Sequence, residues 1–368
     1  PAAIWRLMDN INDVRVAVWQ EQPESFSNET ARIDADGTLL PTTGECKEGM
    51  DVSYKGVWGY HPLLVSLANT QEPLFLVNRS GNRPSHEGAP EVLDEAVALC
   101  RRGGFWDILL RGDTDFSLTA HLDRWHEDGV RFVFGYDANP LFVNRAETLS
   151  EKEYSELQRR ADQAFEAQPR AKQPQVKEQI VMERGYRNLR LLSEDVAEFD
   201  HKPARAKRTY RIVVVRKRIL EERGQRCLDE FYRYFFYITN DRAMSPEEVV
   251  AEANHRCDQE NLIDQLKNGV RALHAPVNTL EANWAYMLIA SLAWTFKAWF
   301  ALMLPITPRW RKRHEAQRHL LLRMEFRTFL QQLVMVPAQI LRTGRRVVFR
   351  LLAWRPQLPL LFRLLEAV

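Results

Sequence analysis

Cysteine is scarce in this sequence: Cys46, Cys100, Cys227 and Cys257 stand far apart among 368 residues. With no paired spacing they suit neither a zinc site nor a disulfide framework, and a reducing cytoplasm is the expected setting. The chain starts at Pro1 with no methionine and no apolar signal segment, and no internal repeat is visible. An uninterrupted membrane span is also missing. The segment "NWAYMLIASLAWTFKAWFALMLPI" (283–306) is apolar, but only 14 of its residues precede Lys297, against the ~20 that a bilayer core requires. A buried helix of a large soluble core is expected there. The rival reading is lipid binding by this segment and the basic, Leu-rich C-terminus.

Acidic residues are scarce in two places. Net charge is only +2, yet Ile306 to Val368 holds 13 Lys/Arg against 3 Asp/Glu, which leaves the remainder at −8. The stretch "HKPARAKRTYRIVVVRKR" (201–218) has eight Lys/Arg and no acid. Basic surface segregated on an otherwise acidic chain points to a polyanion, most often nucleic acid. Anionic membrane and plain solubility are the competing explanations.

What is present reads as mixed α/β. The runs "ARIDADGTLL", "YKGVWGYHPLLVSLA" and "EPLFLVNRS" are strand-like. Two helical stretches then lead to the strands "WDILLRGD" and "RFVFGYDA". Strands that later alternate with helices indicate an antiparallel meander entering a mixed sheet. Residues 145–208 are polar, with a helical start in "SEKEYSELQRRADQAFEAQ" and a Pro/Lys-rich middle. Next, "RTYRIVVVRKRIL" and "DEFYRYFFYITND" are long strand candidates on either side of a turn, and they predict a β-hairpin. The stretch 245–270 predicts one long helix, with Ser245 as N-cap, Pro246 at the first position and Glu248 completing a capping box. The remainder reads as helical.

Three acidic positions stand where chemistry would use them. Asp34 and Asp36 share one face of the first strand, because strand side chains alternate. Asp113 and Asp115 follow an apolar strand, where turn formation or helix capping is the ordinary role. On the predicted helix, Arg256, Glu260 and Lys267 fall within an arc of about 40° at helical spacing. That strip lies beside the apolar stripe Leu262, Ile263, Leu266 and Val270; an i,i+4 ion-pair ladder is the ordinary explanation. Carboxylates on two strands and a helix also suit an all-oxygen site for Mg²⁺, the kind of site that supports two-ion phosphoryl chemistry.

In their order and setting, Asp, Asp and Glu on strand, strand and helix, these residues resemble the DDE transposases of bacterial insertion sequences, which have a ribonuclease-H-like fold. Asp36-Gly37-Thr38 matches the first motif. Asp113 and Phe116 match the second, with Asp115 where the family has Gly. Arg256, Glu260 and Lys267 match the spacing of the helical signature, with Ala253 in place of its Tyr. The wording "DGTLLPTTGE", "YHPLLV", "NRSGN" and "NWAYMLIASLAW" looks like one branch of that group, and the resemblance covers roughly residues 30–365. Periodicity alone leaves Asp34 and Asp36 open; Thr38 favours Asp36. The 146 residues between Asp113 and Glu260 are too many for a loop, and this branch carries a β-rich insertion there.

The resemblance implies an α/β, ribonuclease-H-like mixed sheet with helices. It also implies an organisation of 1–28 as an N-terminal remnant, 29–144 as the first part of a catalytic core, 145–244 as an insertion with a β-hairpin, 245–306 as the end of the core, and 307–368 as a basic helical region. Implied too is a cut-and-paste DNA transposase, working through a hairpin at the transposon end. Asp36, Asp113 and Glu260 would be catalytic and hold two Mg²⁺ ions, with Mn²⁺ as a substitute. Arg256 and Lys267 would grip phosphates and favour an ionised Glu260. Lys207, Arg208, Arg216, Lys217, Arg311 and Lys312 are further DNA-contact candidates; Arg345 and Arg346 are weaker ones, since long cations also cap helices. Tyr232, Tyr234 and Phe236 could stack on a displaced base, although strand aromatics are usually core. The spacing of His255 and Cys257 suits no metal. The expected partner is double-stranded DNA, as terminal inverted repeats and target, with no membrane and a homodimer on paired ends in the bacterial cytoplasm. The alternative function is a catalytically inactive, transposase-derived DNA-binding protein.

Overall fold

Helix α1 (Ala2–Gln20) buries Ile4, Met8, Asn12, Arg15, Val16 and Trp19, a three-and-four spacing that places them all on one face. The computed structural model describes residues 1–44, 46–157, 187–223 and 226–366. Two units are distinguished, Pro1–Leu110 with Arg256–Val368, and Arg111–His255.

In the first unit, β1 (Ala31–Gly37), β2 (Leu63–Leu67) and β3 (Glu72–Val77) form an antiparallel meander. Helix α2 (Ala89–Arg102) follows and leads to β4 (Ile108–Gly112), which lies beside β1, so the order is β3-β2-β1-β4. Every residue of β2 and β4 is buried, which is why these strands read as continuous apolar runs instead of alternating ones. Three short strands, Leu40–Pro41, Asp51–Val52 and Trp58–Tyr60, make a separate small sheet. The α/β class and the meander therefore agree with the sequence reading.

A buried polar network ties α1 to this sheet. Glu72, fully buried, accepts from Arg15 Nε at 3.0 Å, Trp19 Nε1 at 3.0 Å, Trp299 Nε1 at 2.8 Å and Thr70 Oγ1 at 2.7 Å. Four donors satisfy the carboxylate, which is what makes a buried charge tolerable.

The second unit contains β5 (Arg131–Tyr136), α3 (Pro140–Thr148), β6 (Arg187–His201), β7 (Tyr210–Arg223), β8 (Arg226–Thr239) and α4 (Pro246–His255). Its strands pair antiparallel in the order β5-β8-β7-β6, with the two-residue strand Ser155–Glu156 on the outer side of β6. The expected hairpin is β7–β8, and a third long strand, β6, joins it. That strand falls in a stretch whose charge hid its pattern. Of the helix expected from "SEKEYSELQRRADQAFEAQ", Ser155–Glu156 is strand, and the rest lies largely outside the described residues. Helix α4 starts as predicted: Ser245 Oγ accepts from Glu248 N at 3.2 Å, and Glu248 Oε2 accepts from Ser245 N at 2.7 Å.

The single helix expected over 245–270 is corrected. Arg256 separates α4 from α5 (Cys257–Asp264), and a π-helical turn, Gln265–Gly269, follows. Next in the first unit come α6 (Leu280–Leu302) and α7 (Arg311–Arg323). Helix α6 is long and apolar enough to cross a membrane by length and composition, but 56% of that window is buried within the fold. It packs against α1, β3 and α7 and buries Asn283, Ser291, Thr295 and Lys297. The C-terminal region is not wholly helical. Strands β9 (Ala338–Thr343) and β10 (Arg346–Leu351) form a two-stranded hairpin before α8 (Leu358–Leu365).

Candidate active site

Within the first unit, β1 presents Asp34 and Asp36 in register with Ser66 and Leu64 of β2. Asp34 is 1% exposed, whereas the Asp36 side chain keeps 16%. Helix α5 is docked on this pair of strands by Gln259: its Oε1 accepts from Ser66 Oγ, and its Nε2 donates to Leu64 O at 3.3 Å. Sequence reading passed over Gln259, since a polar residue gives no apolar signal, although it sits in phase with Leu262, Ile263 and Leu266.

Arg256 Nη1 donates to Asp36 Oδ2 at 3.3 Å. Lys267 Nζ donates to Thr38 Oγ1 at 2.7 Å and to Leu39 O at 3.2 Å. Burial pushes the Lys267 ammonium down, and the nearby Asp36 and Asp264 carboxylates partly oppose this. Glu260 is exposed and, among the described residues, makes no ion pair. The expected strip with Glu260 between two cations is thus corrected. The break at Arg256 and the π-helical turn re-aim both cations toward the end of β1, and Arg256 pairs with Asp36.

In the second unit, Asp113 follows β4 and caps the 3₁₀ turn Thr114–Phe116; its Oδ1 accepts from Asp115 N at 3.0 Å. Asp115 was expected as a possible helix cap, but it is the capped residue. Two glycines give this turn its room. A Cβ on Gly112 would stand 2.6 Å from Phe116 Cβ, and one on Gly135 of β5 would stand 2.9 Å from Thr114 N and 3.1 Å from the Asp113 carbonyl carbon. Arg111, 1% exposed, donates to Glu252 of α4 at 2.9 Å, fixing the end of β4 against that helix. A buried arginine inside "ILLRG" was the only sequence signal of this pair.

The expected DNA contacts on β7 are largely occupied. Arg216 is held by Glu151 at 2.7 Å and Asp195 at 3.2 Å, and it lies 3.8 Å above the Tyr154 ring. A phosphate reaching Arg216 would have to displace two carboxylates. Lys217 pairs with Glu194 at 2.9 Å, Arg208 pairs with Glu127 at 3.4 Å, and Lys207 is exposed. On α7, Arg311 pairs with Glu315 at 2.9 Å, and Lys312 is exposed. Phe236 is core, while Tyr232 and Tyr234 continue the same face of β8 outward, Tyr232 being exposed. His255 and Cys257 are both exposed.

Asp36 and Glu260 belong to the first unit and Asp113 to the second. Three carboxylates are hard oxygen donors and match a divalent cation in kind. Among the described residues, no group of three or more His, Cys, Asp or Glu side chains is gathered as a metal cage, and Asp36 is engaged by Arg256.

The model of a family described as "Transposase DDE domain group 1" matches residues 2–368. No curated protein matches. Among solved structures, the cryo-EM structure of the piggyBac transposase synaptic complex with hairpin DNA is similar with a TM-score of 0.42 and 10% identity, over 84% of this chain and 55% of that one. The chain spans about half the length of that relative.

Proposed function

Since the chain belongs to the transposase DDE domain group 1 family, we propose that it cuts and rejoins double-stranded DNA at the terminal inverted repeats of a bacterial insertion sequence. Asp36, Asp113 and Glu260 are the acidic residues assigned to a divalent ion, Mg²⁺ first and Mn²⁺ as its substitute. Such an ion, when bound, supplies charge that activates the attacking oxygen and stabilises the leaving one. The chain's own cations orient the substrate: Arg256 and Lys267 hold phosphates beside the scissile bond by charge-assisted contacts that read no sequence. Water attacks the phosphorus at the transposon end, the bond from phosphorus to the 3′ oxygen breaks, and the released 3′-hydroxyl attacks a second phosphodiester, whose own bond from phosphorus to its 3′ oxygen breaks and whose 3′ oxygen leaves with a proton. A homodimer on paired ends in the cytoplasm completes this reading.

The observation that carries the site assignment is the meeting of Asp36 and Thr38 with Arg256 and Lys267, two parts of the first unit far apart in the chain. The test is a nicking assay on duplexes carrying the repeats that border the gene. Cleavage is expected with Mg²⁺ or Mn²⁺ and is lost in Asp36→Asn, Asp113→Asn and Glu260→Gln. Equal cleavage by wild type and all three variants would overturn the assignment.

A further inference from the structure

The basic residues of this chain differ in what already answers them. On β7, Arg211 pairs with Glu198, Arg216 with Glu151 and Asp195, Lys217 with Glu194, and Arg218 with Glu230. The C-terminal hairpin is the opposite case. No acidic residue occurs between Glu325 and Glu366. Arg342, Arg345, Arg346 and Arg350 are all exposed and, among the described residues, make no ion pair. They surround a tight turn at Gly344, whose φ of 55° is the left-handed conformation that glycine adopts freely.

The hairpin is also covered on neither face. Its strands form their own two-stranded sheet, and Ile340, Val347 and Phe349 share one side at 61%, 57% and 65% exposure. An isolated two-stranded ribbon with exposed apolar side chains is marginal in water, so a binding partner would stabilise it. Six residues per strand make a rod about 20 Å long, and a two-stranded ribbon is of a size that a DNA major groove admits. A second copy of the chain would bring four arginines against four arginines, which disfavours self-pairing.

We infer that the β9–β10 hairpin is a DNA-binding arm, with Arg342, Arg345, Arg346 and Arg350 on backbone phosphates and the Ile340–Val347–Phe349 side against the groove wall. This rests on the transposase reading, and it moves the main polyanion contact from β7 to a region where helix caps were expected.

The test is fluorescence anisotropy of the full chain with a labelled 20-base-pair duplex, measured across a salt series. Replacing the four arginines by Ala is expected to weaken binding at least about tenfold. It should also lower the slope of log affinity against log salt by about 3.6, since each of the four phosphate contacts contributes about 0.9. The four-Lys variant restores most of that slope, which separates lost charge from lost folding. Unchanged affinity and slope in the Ala variant would overturn the inference. So would a DNA-free dimer by sedimentation that Phe349→Ser dissociates, with DNA binding intact. Metal-dependent cleavage by a protein whose Ala variant binds normally refutes the arm alone. Arm-dependent binding without cleavage by wild type refutes the catalytic reading alone.

Discussion

The guanidinium of Arg256 reaches the carboxylate of Asp36 at 3.3 Å, joining positions 220 residues apart. Both side chains are mostly buried, at 19% and 16% exposure, so the pair is screened less than a surface bridge. In the proposed reaction the same guanidinium is exchanged between Asp36 and a substrate phosphate.

Arg256→Ala should therefore lower DNA cleavage by about a hundredfold, the scale for losing one preorganised donor to a phosphoryl oxygen. Its thermal midpoint should move by only a few degrees, because a partly exposed pair contributes on the order of 1 kcal/mol. Gel cleavage and thermal melting on the same preparation check this. Wild-type cleavage in Arg256→Ala would remove Arg256 from the site.

A methyl group at Gly135 meets the backbone of the Asp113 turn at 2.9 Å, so neither atom can rotate away. Gly135→Ala is expected to destabilise the fold by about 1–3 kcal/mol, the usual range for overpacking, and to depress cleavage by displacing Asp113. Denaturant unfolding and the cleavage assay read the two effects separately. Normal values in both would contradict the tight packing of this turn.

Glu72→Gln leaves the Arg15 guanidinium buried at 1% exposure without its counter-charge. Breaking a buried pair from one side costs about 3–5 kcal/mol, and the loss should appear first as detachment of α1. Tryptophan fluorescence reports this directly, since Trp19 and Trp299 donate to the same carboxylate. The double variant Arg15→Met with Glu72→Gln should recover part of the stability.

Burial pushes the Lys297 ammonium down to about 7 from 10.5. Between those two values the unfolded chain holds a proton that the folded chain has released. Stability should therefore rise as pH climbs from about 7 toward 10 and gain nothing from this group below 7. Below that point the ammonium donates to Leu322 O and Met324 O, each at 2.8 Å. The rise should be absent from Lys297→Met; unfolding midpoints of wild type and variant that run parallel across pH 6–10 would show that Lys297 is not responsible.

Much of the architecture was legible locally. β-branched and aromatic runs marked β1 to β5 and the β7–β8 hairpin, and the capping box marked the start of α4, because these signals arise from neighbouring residues. Strand β6 escaped notice because its outward-facing charges hide the alternation. The hairpin β9–β10 was read as helix, since "QILRTGRRVVFRLL" has apolar residues that fit either period.

By itself, the sequence determined which residues bear charge at the candidate site, Asp36, Asp113, Glu260, Arg256 and Lys267, and on which kind of element most of them lie. It also determined that acids are absent between Glu325 and Glu366. Only the tertiary structure decided which charges meet. It turned Arg256 from Glu260 to Asp36, made Gln259 the residue that docks α5, neutralised Arg216 and left the hairpin arginines exposed. The physical reason is that helical and strand periods specify a side chain's face, whereas its partner comes from another segment, 220 residues away for Arg256 and 65 for Arg216, brought there by burial of the sheet.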